Sequence, residues 1–306
     1  MSNSNKLIVI LGPTASGKSD LGVKLAKKYN GEIISADSRQ VYKGLDIGSG
    51  KITKKEMMGV PHHLLDVASP KRKFSVAQFQ KLAFKKIKEI QGHNRVPFLV
   101  GGTGFYIQSV VDGLVLPEVK PNWKLRKILE KKSTGQLFSM LKKLDSTRAK
   151  AIDKHNPRRL IRSIEIVSTT GKPLATSSQH TPVCWDDVLQ IGIKKSSEEL
   201  KKTIHERLQK RLKQGMVAEV KKLHKQGVSW KRLEELGLEY RYIAQYLQGK
   251  IDYQEMQNKI QKESEHFVKR QMTWFKRDKR IYWIKSSKEA EKLYQKFLKV
   301  KGATSL

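Results

Sequence analysis

Residues 12–19 form a glycine-rich segment of the kind that binds phosphate. They lie between a short apolar run and a segment whose apolar residues recur with the spacing of a helix. They match the Walker A pattern, with both glycines, the lysine and the hydroxyl residue in place. In such a loop backbone N–H groups surround phosphate oxygens, the helix N-terminus adds positive potential, and Lys18 supplies a charge. Ser19 is placed to bind Mg²⁺. The predicted phosphate-binding residues are Gly12, Pro13, Thr14, Ala15, Ser16, Gly17, Lys18 and Ser19.

The sequence shows no clear acidic magnesium ligand of the kind that completes a nucleotide-hydrolysing site. Such an enzyme also holds its magnesium through an acidic residue at the end of a second hydrophobic strand. Here the best candidate strand, 95–100, runs into Gly-Gly-Thr-Gly at 101–104, and no Asn-Lys-x-Asp motif is present. The pattern favours a transferase that uses the loop for a diphosphate, and a kinase that uses ATP is the alternative.

A carboxylate follows the next predicted strand. Asp37, Ser38, Arg39 and Gln40 come just past its C-terminal end, which is the edge where open α/β sheets bind ligands. Asp37 fits a general base, a magnesium ligand or a helix N-cap. The glycine loop at 101–104 follows another strand at the same edge and allows backbone to approach a ligand closely.

The order of elements predicts an α/β fold. Helical stretches separate most of the predicted strands, so we expect a mostly parallel sheet covered by helices on both faces. The expected strands are 7–11, 32–35, 96–100, 188–193 and 280–284. The strand signal fades in residues 115–187, which predicts an all-helical insertion. The catalytic core would then comprise 1–114 and 188–306, with helices at 197–249 and 252–278 broken at Gly215, Gly227 and Gly249.

The composition points to a polyanionic partner. The chain of 306 residues has 62 Lys and Arg against 29 Asp and Glu, a net charge of +33, which favours nucleic acid over a solvated basic surface or a membrane surface. No apolar run approaches the roughly 18 residues that span a bilayer. The polar start at 1–6 and the single cysteine, Cys184, lead us to expect a cytosolic protein without a signal peptide or an internal disulfide.

Seven segments, in order, carry a resemblance to one known family. They are GPTASGKS, ADSRQVYKGLDIG, GVPHHLLD, FSVAQF, PFLVGGTGFYIQSVVDGL, NPRRLIRSIEI and KRQMTWFKRD. Together they resemble the tRNA dimethylallyltransferases, also called tRNA isopentenyltransferases or the IPP transferase family. The resemblance implies a P-loop NTPase-like core with an inserted helical tRNA-binding domain. It also implies transfer of the dimethylallyl group of dimethylallyl diphosphate to N6 of the adenosine 3′-adjacent to the anticodon, with Mg²⁺.

The resemblance assigns catalytic roles to four residues. Asp37 matches the general base, and Lys18 belongs to the phosphate loop. Thr103 matches a position that touches the target base or the substrate, although a structural role in a tight turn is an alternative. Arg207 aligns best with the arginine that contacts the diphosphate, and Arg211 is the alternative.

The resemblance also implies the residues that bind the anticodon stem-loop of tRNA. They are Asp37, Ser38, Arg39, Gln40, Thr103, Arg126, Arg158, Arg159, Leu160, Ile161 and Arg162. The stretch 269–277 interleaves basic and aromatic residues, so Trp274 and Phe275 are candidates for base stacking or for the core of an amphipathic helix. We interpret His62 and His63 as structural residues.

Two segments depart from the family pattern. Gly48-Ser49-Gly50-Lys51-Ile52 and Gly237-Leu238-Glu239-Tyr240-Arg241-Tyr242 replace its usual segments, so we expect local contacts to differ while the reaction is retained. The sequence lacks the zinc-finger extension of eukaryotic members, which implies a bacterial-type enzyme. We also expect a monomer. A noncatalytic RNA-binding protein is a further alternative, against which the complete phosphate loop and Asp37 argue.

Overall fold

The computed structural model describes residues 6–117, 119–174 and 187–299. The chain forms two compact units, Met1–Val111 with Cys184–Leu306, and Asp112–Val183. The insertion predicted from the sequence, 115–187, begins three residues later and ends four residues later than the second unit.

The first unit is built on a parallel sheet whose strand order is β3-β2-β4-β1-β5-β6. Its strands are β1 (Lys6–Leu11), β2 (Gly31–Ala36), β3 (His62–His63), β4 (Val96–Gly101), β5 (Asp187–Ile193) and β6 (Ile281–Ile284). The predicted α/β fold with a parallel sheet is therefore confirmed, and five of the strands lie where the sequence predicted them. The edge strand β3 was not predicted, because two residues are too few to show an alternating pattern.

Helices occupy most of the rest of the described chain. They are α1 (Lys18–Lys28), α2 (Val76–Gly92), α3 (Gly104–Val111), α4 (Trp123–Leu129), α5 (Thr134–Leu144), α6 (Ser146–Ala151), α7 (Pro157–Thr170), α8 (Ser197–Lys213), α9 (Met216–Lys225), α10 (Trp230–Leu236), α11 (Leu238–Leu247), α12 (Tyr253–Phe275) and α13 (Ser287–Lys299). The predicted breaks are confirmed, because Gly215, Gly227 and Gly249 each lie between two helices. None of the described helices is long and apolar enough to cross a bilayer.

Both faces of the sheet are buried. Along β1, Leu7, Val9 and Leu11 contribute to one apolar core, whereas Ile8 and Ile10 contribute to the other, because successive side chains of a strand point to opposite faces. The first core also contains side chains of α2, α3 and α8–α12, and the second contains side chains of α1 and α13. Burial on both faces explains why the strands read as continuous apolar runs.

The second unit consists of α4–α7 around a small core of its own. Leu137 and Leu141, four residues apart on α5, pack with Leu160 and Ile164, four residues apart on α7. This spacing places each pair on one face of its helix. Asn156 caps α7 through its side chain and Pro157 follows at the first helical position, as is typical of a helix start.

Candidate active site

Three predicted site segments lie side by side at one edge of the sheet. The strands β2, β4 and β1 are neighbours, and their last residues, Ala36, Gly101 and Leu11, are paired in register. The phosphate loop continues from Leu11, the Asp37 segment from Ala36 and the second glycine loop from Gly101. The C-terminal edge of the sheet therefore brings the three segments together, as expected for an α/β ligand site.

The phosphate loop has the backbone geometry of an anion site. Ala15 and Gly17 adopt positive φ angles of 66° and 88°, and Gly17 precedes α1 without a side-chain cap. The first N–H groups of α1 therefore lack both intrahelical and capping partners. The hydroxyl of Ser16 is buried and has no hydrogen-bond partner in the part of the chain that the structure describes. A bound anion would satisfy these donors.

Lys18 is the charged residue of this loop. Its Nζ lies 3.2 Å from the carbonyl oxygen of Pro13, to which it donates a hydrogen bond. Removal of water from the ammonium group lowers the pKa of Lys18 to about 8; Asp37 opposes this shift, whereas Arg207 and Arg211 add to it. These interactions indicate that the lysine, the carboxylate and both arginines share one electrostatic environment.

The Asp37 carboxylate is held by its own loop. Its Oδ1 accepts hydrogen bonds from the backbone N–H groups of Arg39 at 2.8 Å and Gln40 at 3.3 Å, and Oδ2 takes part in neither bond. The side chain is half-buried. The amide of Gln40, which was predicted to contact tRNA, instead bridges the hydroxyl of Ser35 and the carbonyl of Gly50. In this structure Gln40 therefore shapes the loop.

Thr103 connects the two loops that follow β2 and β4. Its Oγ1 accepts a 3.0 Å hydrogen bond from the backbone N–H of Ser38, and its own N–H donates to the carbonyl of Ala36 at 3.2 Å. Thr103 therefore has the structural role in a tight turn that was the alternative to substrate contact. Because the hydroxyl oxygen accepts this bond, its proton can still be donated to a ligand.

Both candidate arginines lie on α8 beside the phosphate loop. Arg211 is 15% exposed, and its Nη1 donates to the carbonyl of Gly48 at 3.2 Å and to Glu239 at 3.3 Å. Gly50 packs on it so closely that a Cβ there would overlap the Arg211 guanidinium. Arg207 has no hydrogen bond or ion pair within the described residues. The structure therefore favours Arg207 as the guanidinium available to a ligand.

A small pocket opens next to the phosphate loop. Its walls are formed by Thr14, Ala15, Ile204, Arg207, Leu208, Arg211, Glu239, Ile260 and Ser264. The lining combines the apolar side chains of Ile204, Leu208 and Ile260 with the charged side chains of Arg207, Arg211 and Glu239. The pocket can therefore accept a molecule that joins an apolar group to an anion.

The donor set at Ser19 fits magnesium better than a metal that needs a full protein cage. No group of three or more His, Cys, Asp or Glu side chains suited to a metal occurs in residues 6–117, 119–174 or 187–299. Magnesium keeps several waters and takes few protein ligands together with phosphate oxygens. The exposed hydroxyl of Ser19, in the first turn of α1, can supply one such ligand.

Comparison with known proteins identifies the family. A family model described as IPP transferase matches residues 40–278. The chain belongs to the IPP transferase family. A tRNA dimethylallyltransferase of Carboxydothermus hydrogenoformans is 42% identical over 99% of this chain and 99% of its own length. Similarity to this IPP transferase therefore extends over the phosphate loop and Asp37, which precede the segment that the family model matches.

Solved structures of IPP transferases share the fold. The tRNA isopentenylpyrophosphate transferase of Bacillus halodurans is 35% identical, with a TM-score of 0.70, over 97% of this chain and 96% of its own. A eukaryotic dimethylallyltransferase acting on tRNA is 27% identical, with a TM-score of 0.79, over 92% of this chain and 74% of its own.

The basic residues predicted to bind tRNA in the second unit of this chain fall into two groups. Arg158 and Arg159 are exposed on the first turn of α7. Arg126 and Arg162 instead donate hydrogen bonds to Glu165, whose side chain is 0% exposed. Burial alone would raise the pKa of Glu165, but the two arginines hold it at about 2. This second pair therefore has a structural role in the unit.

Leu160 and Ile161 require a correction. Both were predicted to contact tRNA, but their side chains are 0% and 8% exposed and belong to the core of the second unit. They follow Arg159 on α7 and lie on its apolar face. The resemblance links residues 156–162 to tRNA contact, but the side chains of Leu160 and Ile161 pack in the core and are not tRNA contacts in this fold.

Two residues that shape the site were not assigned from the sequence. Glu219 accepts hydrogen bonds from three consecutive backbone N–H groups, those of residues 46–48, and from the hydroxyl of Tyr240 at 2.9 Å. Gln271 contacts both the phosphate loop and the second glycine loop. Gln271 lies in the basic and aromatic stretch 269–277, where Phe275 is buried in the core and Trp274 is half-buried against Gly104. The unusual composition of that stretch was the only feature of the sequence that pointed to the region of Gln271.

Proposed function

We propose that this chain transfers the dimethylallyl group of dimethylallyl diphosphate to N6 of the adenosine 3′-adjacent to the anticodon of tRNA, giving N6-isopentenyladenosine and diphosphate. The observation that carries the proposal is the meeting of the phosphate loop, Asp37 and Thr103 at one edge of the sheet. The names of the relatives, which describe dimethylallyl transfer to tRNA, support the same reaction.

The donor fits the pocket beside the phosphate loop. Its diphosphate would bind the N–H groups at the start of α1, Lys18 and Arg207, while its prenyl group would pack on Ile204, Leu208 and Ile260. The apolar side chains would shield the allylic carbon from water, and Lys18 and Arg207 would face the group that leaves. Bound Mg²⁺, held by Ser19 and by diphosphate oxygens, would supply further positive charge to the leaving group.

The acceptor must be withdrawn from the stacked anticodon loop before it can react. The N6 lone pair then attacks C1 of the donor as the C1–O bond breaks, and the bonding electrons leave with the diphosphate. The N6 proton passes to the carboxylate of Asp37, whose Oδ2 is not used by the loop hydrogen bonds. Lys18 and Arg207 stabilise the charge that grows on the diphosphate.

Exposed basic residues would hold the RNA. Arg158 and Arg159 on α7 suit contact with phosphates, and Ser38 and Arg39 follow Asp37, where a flipped base would enter. The chain would act as a monomer in the cytosol, where tRNA is found. A polyanionic substrate of this size also accounts for the net charge of +33.

Nucleoside mass spectrometry tests the proposal. Unmodified tRNA transcript is incubated with the protein, Mg²⁺ and either dimethylallyl diphosphate or ATP, then digested. We expect a prenyl mass increase on adenosine with the first donor, and none in a control transcript whose adenosine 3′ of the anticodon is replaced by guanosine. Phosphate transfer from ATP without prenylation would instead establish a kinase, and RNA binding without any product would indicate a noncatalytic binding protein.

A further inference from the structure

The side chain of Gln271 joins two loops of the candidate active site. Its Oε1 accepts a 2.9 Å hydrogen bond from the backbone N–H of Thr14, and its Nε2 donates a 2.8 Å hydrogen bond to the carbonyl of Gly102. Gln271 is 6% exposed and lies on α12, far from both loops in sequence. One buried side chain therefore spans the distance between the phosphate loop and the second glycine loop.

The chemistry of the two partners restricts the residue type. An N–H at one end needs an acceptor and a carbonyl at the other end needs a donor, and a primary amide supplies both. A carboxylate lacks the donor, and an apolar side chain would leave both backbone groups unpaired in a buried place. Gly102 has no side chain at this point because a Cβ there would collide with Nε2 of Gln271.

The same helix supports the second glycine loop one turn later. Trp274 lies against Gly104, where a Cβ would overlap the indole ring, and packs edge-on against Phe105 at a centroid distance of 6.1 Å. Residues 271 and 274 share a face of α12 because they are three positions apart. The loop that carries Thr103 thus rests on α12 at two successive points.

We propose that Gln271 is a positioning residue for the transfer, which holds the phosphate loop and the Thr103 loop in one fixed relation. This inference rests on the proposed function. The diphosphate donor binds one loop, whereas Thr103 and, through Ser38, the segment of Asp37 lie with the other. The reacting carbon and nitrogen must approach to about 3–3.5 Å, and a displacement of about 1 Å costs about 100-fold in rate.

The test compares two variants of Gln271 with a matched control. Gln271→Met keeps the length but removes the hydrogen-bonding pair, and Gln271→Asn keeps the amide but is too short to reach both loops. Gln254→Glu is the control, because Gln254 is exposed on the same helix about 25 Å away along its axis. For each protein, kcat, the KM for both substrates and the melting temperature are measured.

The positioning role predicts a loss of turnover and weaker binding of the diphosphate donor, with little change in the affinity for RNA. We expect kcat to fall about 30-fold in both Gln271 variants, while the KM for RNA changes less than about threefold and the control retains the rate of the unmodified protein. If Gln271→Met melts below the assay temperature, Gln271→Asn decides. A kcat within twofold of the unmodified protein in a folded variant, or a loss explained entirely by the unfolded fraction, would overturn the inference.

Failure of the proposed function can be told apart from failure of this inference. If the unmodified protein transfers no prenyl group, the function is contradicted, and the role of Gln271 is then measured by calorimetric titration with inorganic diphosphate. Gln271→Met should weaken this binding more than about fivefold and Gln254→Glu should not, because only the first change releases the phosphate loop. Equal affinities would overturn the positioning role.

Discussion

The backbone N–H of Ser38 donates a 3.0 Å hydrogen bond to Oγ1 of Thr103. The donor residue follows β2 and directly succeeds Asp37, whereas the acceptor residue follows β4. The hydroxyl therefore ties the segment of the proposed base to the second glycine loop, and its proton is left to meet a substrate.

Removal of this hydroxyl should slow the reaction. Thr103→Val has nearly the same shape but no acceptor, so we expect kcat to fall about tenfold and the free energy of unfolding to fall by about 1 kcal/mol. Thr103→Ser retains the hydroxyl and should stay within about threefold of the unmodified protein. Steady-state rates and urea unfolding curves provide both measurements. Equal rates for the valine and serine variants would remove the hydroxyl from the account.

The lowered pKa of Lys18 predicts a pH dependence of diphosphate binding. With a pKa of about 8 in the free protein, Lys18 loses its charge as the pH rises through that value. The charged form binds the anion more tightly, so affinity should fall above pH 8 by up to about tenfold per pH unit. Calorimetric titration with inorganic diphosphate between pH 7 and 9.5 measures this change.

Lys18→Arg supplies the control for that titration, because arginine keeps its charge throughout this range. Ionisation of the diphosphate itself affects both proteins alike, so the ratio of the two affinities isolates the lysine. We expect the ratio to change above pH 8 in favour of the arginine variant. A ratio that is constant from pH 7 to 9.5 would contradict the assigned pKa.

Arg158 and Arg159 should contribute to RNA affinity without supporting the fold. Both are exposed, so the double charge reversal to Glu should leave the melting temperature nearly unchanged. Each lost phosphate contact should reduce the slope of log K against log salt by about 0.7–0.9, or by about 1.6 for the pair. Filter binding over a salt series measures the slope. An unchanged slope would leave this pair without a role in RNA binding.

The buried carboxylate of Glu165 should make the stability of the protein depend on acid. Burial works against ionisation, but Arg126 and Arg162 hold its pKa at about 2, below the ordinary 4.5. Its contribution is therefore fully present above pH 4.5 and is lost as the pH falls towards 2. The difference in melting temperature between the unmodified protein and Glu165→Gln should shrink across that window. A difference that is independent of pH would show that the carboxylate charge does not stabilise the unit.

Much of the fold could be predicted because the strands are buried on both faces. Continuous apolar, β-branched runs bounded by glycine, such as 7–11 and 96–100, are recognisable without any tertiary information. The strand order β3-β2-β4-β1-β5-β6 could not be read in the same way, because pairing joins segments that are distant along the chain. The pair His62–His63 was missed as a strand for lack of length.

The candidate site likewise contains residues that the sequence could predict and residues that it could not. The phosphate loop and Asp37 were predicted because neighbouring residues and the preceding strand are enough to recognise them. Gln271 is 257 residues from Thr14 and 169 residues from Gly102 along the chain, so only the folded structure shows these two contacts. Leu160 and Ile161 were misassigned because a contact segment contains both exposed and buried residues, and the sequence does not mark which residues face the solvent.

The single-turnover rate of prenyl transfer by Asp37→Asn tests the central claim most directly. Asparagine retains the Oδ1 acceptor for the backbone N–H groups of Arg39 and Gln40, so the loop and RNA affinity should persist while the proton acceptor is lost. With saturating RNA and donor, we predict a rate reduced by about 100-fold to 10,000-fold at unchanged RNA affinity. A rate within about threefold of the unmodified protein would contradict Asp37 as the base.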